Sequence, residues 1–177
     1  MKKHKEYVIP FTGLKQGKHG FDYKIENKFF ESFDYNEFNA ASIDLQVGLN
    51  KLSTMMELEF SATGLINVNC DITNEPYDQP IDGKLELLVK FGEGYNDDND
   101  EILIIPHGEH QINVAQYIYE MLVLAVPQKR VHPGVLDGSL KSKTLERLKE
   151  LQPKEVKENK KEIDPRWDAL KKLITDK

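Results

Sequence analysis

The chain has 177 residues, of which 31% are charged and 39% hydrophobic, and it contains one cysteine. This length suits one domain with extensions, and a single cysteine excludes an internal disulfide and favours the reducing cytoplasm. The basic start MKKHKEYVIPF has no apolar run behind it, so it is a poor signal peptide. The most apolar segment, 121–126, is too short to span a bilayer. We therefore expect a soluble protein without a membrane partner.

The net charge of −6 hides a division along the chain. Residues 1–128 carry 10 Lys and Arg against 21 Asp and Glu, whereas residues 129–177 carry 14 against 9, so the two parts have net charges of −11 and +5. An acidic body with a basic tail points toward a nucleic acid or an acidic partner. The alternative is that the charge only keeps the tail solvated.

Alternation of apolar and polar residues predicts strands through the middle of the chain. The aromatic segment 20–33 is expected to supply one or two strands. Further strands are expected in 43–49, 56–62, 66–70, 85–91 and 102–105, with breaks at 50–53, 63–64 and 73–80. Short breaks between strands with one apolar face each predict an antiparallel meander.

The hydrophobic period then changes from two to between three and four. In residues 112–127, Ala115, Ile118, Leu122 and Ala125 recur at helical spacing, which predicts one helix packed on the sheet. The predicted fold class is α+β: an antiparallel β-meander or partly open barrel packed on one main helix, with a flexible helical C-terminal tail.

We expect three regions along the chain. Residues 1–135 form the β-rich globular body, with its helix near 113–126, and residues 136–162 form a turn-rich, charged linker in which 144–151 can form a short helix. Residues 163–177 form an amphipathic helix. Such a short helix is marginal alone, so it docks either on the body or on a partner, and both alternatives stay open.

Cys70 can be a nucleophile, half of a metal site or a core residue. It continues the alternation of Ile66 and Val68, which predicts a buried core position. A reactive thiol needs a histidine or a positive environment, and the sequence neighbours include Asp71 and Glu75. Cys70 is therefore expected to be structural.

Other candidate chemistry is weak. The pattern 107-HGEH-110 resembles a pair of zinc ligands, but Pro106 and Gly108 predict a turn, and further ligands are not evident. The acidic loop 96–101 lacks the EF-hand pattern, and 91-FGEG-94 lacks the helix start of a phosphate loop. We expect no enzyme, no metal, no cofactor and no small-molecule substrate; a metallohydrolase built on His107 and His110 is the enzymatic alternative.

Three segments taken together resemble the YceD family: the hairpin 68-VNCDITNEPYDQPIDGKLELLVKF-91, the segment 112-INVAQYIYEMLVLAVPQKRVHP-133, and the terminal 164-DPRWDALKKL-173. The resemblance implies a role in accumulation of large-subunit ribosomal RNA, without enzymatic activity. Family genes commonly lie beside the gene for a small zinc-ribbon protein of the large ribosomal subunit. Many relatives carry Cys-x-x-Cys at the hairpin, where this chain has Thr73 in the second position, so a thiolate zinc site is not available here.

We therefore expect a non-enzymatic accessory factor in large ribosomal subunit biogenesis. Its expected partners are large-subunit ribosomal RNA or a pre-ribosomal particle, and a basic zinc-ribbon ribosomal protein is a further candidate. RNA phosphate contacts are assigned to Lys160, Lys161, Arg166, Lys171 and Lys172. Partner docking is assigned to the N-cap Asp164, to Pro165, and to the apolar face of Trp167, Leu170, Leu173 and Ile174. The alternative function is a general protein-interaction adaptor that docks through the Trp-containing C-terminal helix.

Overall fold

The structure is a computed structural model that describes residues 4–151. The chain divides into two compact units, Met1–Leu140 and Lys141–Lys177. The strands are β1 (Val8–Pro10), β2 (Gly17–Glu26), β3 (Ala40–Lys51), β4 (Met55–Asn69), β5 (Pro76–Gly92), β6 (Asn96–Asn99), β7 (Ile102–Pro106) and β8 (Gln111–Asn113). The helices are a 3₁₀ turn (Lys5–Tyr7), α1 (Asn27–Glu31), α2 (Ala115–Ala125), α3 (Pro133–Leu136) and, in the second unit, α4 (Lys143–Leu151).

Six strands form one open sheet in the order β2-β3-β4-β5-β7-β6, and β1 pairs with β8 in a separate two-stranded sheet. Neighbours from β2 to β5 are antiparallel, with Val47 opposite Phe60 and Phe60 opposite Leu85. Strands β2 and β6 are the two edges of the larger sheet. The predicted α+β class is confirmed, and the sheet takes the open form.

The far side of the sheet departs from the expected meander. Strand β7 pairs with β5 in parallel, with Val89 opposite Leu103, and β6 pairs with the other side of β7. The chain leaves β5, runs back along β6 and then re-enters between the two as β7. All four residues of β6 are exposed, whereas Leu103 and Ile105 of β7 are buried. This order places the polar strand at the edge and the apolar strand beside the core.

The break expected at residues 63–64 is wrong, because both residues lie inside β4. A Cβ on Gly64 would lie 2.6 Å from the Cα of Ile43 on β3. This glycine therefore permits a close approach of two strands and makes no turn. The break expected at 50–53 exists but is shifted, because β3 continues to Lys51 and the turn before β4 covers residues 52–54.

The break expected at 73–80 is shorter than predicted. Strand β5 already begins at Pro76, and Pro80 lies within it. The pairing of β5 with β7 is confined to residues 88–92, so Pro80 needs no N–H for that ladder. A proline is tolerated in a strand at such a position.

The aromatic segment 20–33 forms one strand and one helix, where one or two strands were expected. After β2 ends, Phe29 and Phe30 are buried in α1. The Phe29 ring packs edge-on against Tyr7 and Phe33, with centroids 4.9 and 5.3 Å apart. This short helix fills the space beside the sheet with aromatic rings, and that gain outweighs the strand propensity of phenylalanine.

The predicted alternation is confirmed across the core. The inward residues of β3, β4 and the hairpin turn are buried: Ile43, Leu45, Val47, Leu49, Met56, Leu58, Phe60, Ala62, Ile66, Val68 and Cys70. Leu87 and Val89 of β5 are buried as well, while Leu85 and Phe91 pack against the core from a half-buried position. One hydrophobic core thus lies against the inner face of the sheet.

Helix α2 covers part of this inner face, as its period predicts. Its buried residues are Ala115, Ile118, Met121 and Leu122, and it lies against β5. A Cβ on Gly83 of β5 would lie 3.4 Å from both Met121 Cγ and Ala125 Cβ. The space between helix and strand at this point therefore has room for about a methyl group. Leu124, which is outside this buried set, is 83% exposed.

In the second unit, residues 144–151 form the helix expected there, as part of α4. Helices long and apolar enough to cross a bilayer are absent from residues 4–151.

Candidate binding site

The residues predicted to bind RNA or to dock a partner lie outside the described part of the chain. These are Lys160, Lys161, Asp164, Pro165, Arg166, Trp167, Leu170, Lys171, Lys172, Leu173 and Ile174. Their assignments remain predictions. The described residues belong mainly to the acidic body, and their arrangement indicates what the body can bind.

Cys70 is the buried residue that the alternation predicts, since it is 2% exposed. It opens the turn between β4 and β5, where its N–H donates to Glu75 O at 2.9 Å and its carbonyl accepts from Asn74 N–H at 2.8 Å. Its sulfur accepts the N–H of His132 at 3.3 Å. Burial disfavours the Cys70 thiolate, but the hydrogen bond from His132 N–H and those from Thr73 and Ile72 outweigh burial and lower the pKa of the thiol.

Polar contacts hold the hairpin turn in addition to the packing of Cys70. Asp71 N–H donates to Arg130 O at 2.8 Å, and Arg130 N–H donates to Asp71 Oδ2 at 2.7 Å. The Arg130 guanidinium lies 3.5 Å from Asp71 Oδ1 and 3.4 Å from Glu37 Oε2. The backbone hydrogen bonds and the ion pairs together thus fix the segment after α2 to the hairpin turn. Thr73, which is buried, lies inside that turn.

The two histidines of 107-HGEH-110 lie on a turn, as predicted, and point to different neighbours. The His107 ring stacks on Phe91 with centroids 6.2 Å apart, whereas His110 Nδ1 lies 3.4 Å from Thr12 Oγ1. Groups of three or more potential metal-binding side chains are absent from the part of the chain that the structure describes.

A groove lies beside α2, and we call it the helix groove. It has a volume of about 760 Å³ and lies between α2, β5 and the segment that leads into β6. Its acidic lining residues are Asp82, Asp97, Asp100 and Glu120, and its one basic lining residue is Lys84. Tyr95, Tyr117 and Leu124 supply apolar surface in the same groove. The arrangement suits a ligand that combines positive charge with aliphatic carbon.

Hydrogen bonds hold the phenols of the helix groove in place. Tyr95 O–H donates to Asp97 Oδ2 at 3.1 Å. Burial raises the pKa of Tyr117, and the adjacent Tyr95 hydroxyl and the Asp97 carboxylate raise it further. Both phenols are therefore protonated at neutral pH, and the negative charge of the groove comes from its carboxylates.

A second acidic surface lies on the outer face of the sheet. Glu59 of β4 is directly opposite Glu86 of β5, and Glu57 and Glu101 lie nearby around Leu88 in a shallow concavity of about 690 Å³. Like charges directly opposite each other across two strands destabilise a sheet slightly. Lys84 is the one basic residue in the lining of this concavity, so the four carboxylates leave it net negative.

Sequence reasoning found the negative charge of the body but neither surface. The helix groove joins residues from β5, β6 and α2, which are far apart in the chain, so residue spacing alone could not reveal it. The available signal was the net charge of −11 over residues 1–128.

A protein-family model described as "Large ribosomal RNA subunit accumulation protein YceD" matches residues 58–174 of this chain. The match confirms the resemblance seen in the hairpin, the helix and the terminal Asp-Pro-Arg-Trp segment. No curated protein and no solved structure matches the chain significantly.

Proposed function

The chain belongs to the YceD family, and on that premise we propose that it is a non-enzymatic accessory factor in large ribosomal subunit biogenesis that acts by binding. The observation that carries the proposal is the family match over residues 58–174, because the family name refers to accumulation of large-subunit ribosomal RNA. The division of charge along the chain supports a binding role.

The basic tail is the part that contacts RNA. Residues 129–177 have a net charge of +5, whereas the body at −11 repels a phosphate backbone. The phosphate-binding residues are Lys160, Lys161, Arg166, Lys171 and Lys172. The apolar residues Trp167, Leu170, Leu173 and Ile174, in a helix started by Asp164 and Pro165, form a docking face for the pre-ribosomal particle.

The acidic body receives a basic protein of the large subunit, such as a basic zinc-ribbon ribosomal protein. Both acidic surfaces, the helix groove and the outer face of the sheet, support this assignment. Opposite charges speed the encounter, and shielding a basic protein until it meets RNA is an electrostatic task that such a body can perform.

Deleting residues 152–177 tests the tail. Full-length protein is expected to co-sediment with large-subunit precursors from cell extract at moderate salt, and the truncated protein is expected to be lost from those fractions. Replacing the five basic residues with glutamine should lower the slope of log affinity against log salt by about 4, from five phosphate contacts at roughly 0.7–0.9 each. Unchanged co-sedimentation of the truncated protein refutes the tail assignment.

The alternative is a general adaptor whose C-terminal helix docks in the groove of a partner unrelated to ribosomes. It predicts that Trp167→Ala abolishes association while the five glutamine substitutions do not. RNA binding through the tail predicts the opposite order of effects, so the two variants measured side by side separate the two functions.

A further inference from the structure

We propose that the helix groove is the docking site for an arginine-bearing, partly aliphatic segment of a partner polypeptide. This inference rests on the proposed function, because it states where the body holds its basic partner and which side chains of that partner it recognises. It concerns residues of the first unit only.

The first argument is the apolar surface of the helix groove. A single exposed leucine is ordinary. Here, however, Leu124 is 83% exposed and Tyr95 is 61% exposed, and both line the same concavity. The volume of about 760 Å³ is large enough for several side chains of a ligand. Burial of these two side chains under an aliphatic chain is favourable.

The second argument is the charge around that apolar surface. Four carboxylates line the groove against one lysine, Lys84. Within residues 4–151, the ion pairs are the two made by Arg130 with Glu37 and Asp71, so these four carboxylates have no ion-pair partner there. Such a groove attracts a cation and repels an RNA backbone. Charge complementarity therefore selects a basic polypeptide as the occupant.

The third argument concerns which basic residue fits. A guanidinium can lie flat on the exposed ring of Tyr95 and donate two hydrogen bonds to one carboxylate. Asp97 accepts the Tyr95 hydroxyl through Oδ2, and because each carboxylate oxygen has two lone pairs, both oxygens can still accept from such a donor. A lysine ammonium gains the charge attraction but neither the stacking nor the paired hydrogen bonds. The groove thus favours arginine over lysine.

The experiment measures binding of full-length protein to a fluorescent peptide of alternating arginine and leucine by anisotropy. The double variant Asp97→Asn/Glu120→Gln removes two charges from the groove, and Leu124→Ser removes apolar surface without changing charge. We expect each to weaken binding about tenfold, as loss of a central contact does. A peptide with lysine in place of arginine should also bind about tenfold more weakly.

The matched control is Asp22→Asn/Asp44→Asn, which removes two charges from exposed positions on β2 and β3. Neither residue lines the helix groove, so this control should leave peptide affinity within about twofold. Equal losses in the control and the groove variants, or no loss in the groove variants, overturn the inference. Loss of binding to a labelled single-stranded RNA in the groove variants overturns it too, since the groove would then serve the nucleic acid.

Co-sedimentation with large-subunit precursors keeps this inference separate from the proposed function. If wild-type protein co-sediments but the groove variants bind the peptide normally, the groove assignment is wrong and the ribosomal role still stands. If wild-type protein never co-sediments, the ribosomal role fails, and the groove assignment is still decided by the peptide measurements.

Discussion

Replacing Asp71 with alanine removes two different interactions from the turn that contains Cys70. One is the hydrogen bond from Arg130 N–H to Asp71 Oδ2, at 2.7 Å. The other is the ion pair with the Arg130 guanidinium, at 3.5 Å. The Asp71→Ala variant thus measures how firmly the segment after α2 holds the hairpin.

The expected magnitude follows from the exposure of these groups. The Asp71 side chain is 38% exposed and that of Arg130 is 27% exposed, so the ion pair is worth about 0.2–1 kcal/mol. A backbone hydrogen bond to a partly solvated carboxylate adds about 1–2 kcal/mol. Asp71→Ala should therefore lower the free energy of unfolding by about 1–3 kcal/mol. Arg130→Ala keeps the backbone N–H and should lower it by about 0.5–1 kcal/mol.

Urea unfolding of the full-length protein, followed by circular dichroism, measures these differences. Asp22→Ala on β2 is the matched control, because this exposed carboxylate forms no ion pair within residues 4–151, and its effect should stay within about 0.5 kcal/mol. If Asp71→Ala costs no more than Arg130→Ala, the backbone hydrogen bond contributes nothing and the reasoning is wrong.

Three further predictions concern the core and its phenols. Ile118→Ala should lower the free energy of unfolding by about 2–5 kcal/mol in urea, since Ile118 is fully buried; a loss below 1 kcal/mol contradicts its core position. Gly64→Ala should lower the free energy of unfolding by about 1–3 kcal/mol, because a Cβ there would clash with β3. Gly94→Ala is the control, since the space around Gly94 is open and the stability of this variant should not change. Equal unfolding midpoints for the two variants would disprove the close approach of β3 and β4. The pKa values of Tyr7 and Tyr117 are raised, chiefly by burial, so the stability that these residues add is present below pH 10 and is lost as the pH rises above it. Phenolate absorbance should therefore appear at higher pH in the folded protein than in the urea-unfolded protein. Coincident titrations of the two states would refute this prediction.

The inward faces of the central strands could be read from the sequence because the local signal and the packing agree. Leu45 and Val47 alternate with polar residues, and both are buried. Cys70 was predicted as core for the same reason. The period of α2 likewise gives its buried face at Ile118 and Leu122. In each case the neighbouring residues alone decide which way the side chain points.

The misread features depend on residues that are distant in the chain. Gly64 looked like a turn signal, but its role depends on Ile43 in the adjacent strand. The parallel pairing of β7 depends on the path that residues 93–101 take back along the sheet. The phenylalanines of α1 are in a helix because Phe29 packs there against Tyr7 and Phe33. Tertiary packing overrides local preference at all three places.

Gly83 determines how much the helix groove can change shape when a ligand binds. A methyl group at this position would already touch Met121 and Ala125 of α2, so helix and strand are closely packed along this wall of the groove. That wall therefore has its shape before a ligand binds, which lowers the conformational entropy that the protein loses on association. A side chain larger than a methyl group at position 83 would push α2 away from β5 and weaken binding in the groove, although every carboxylate of the groove would still be present.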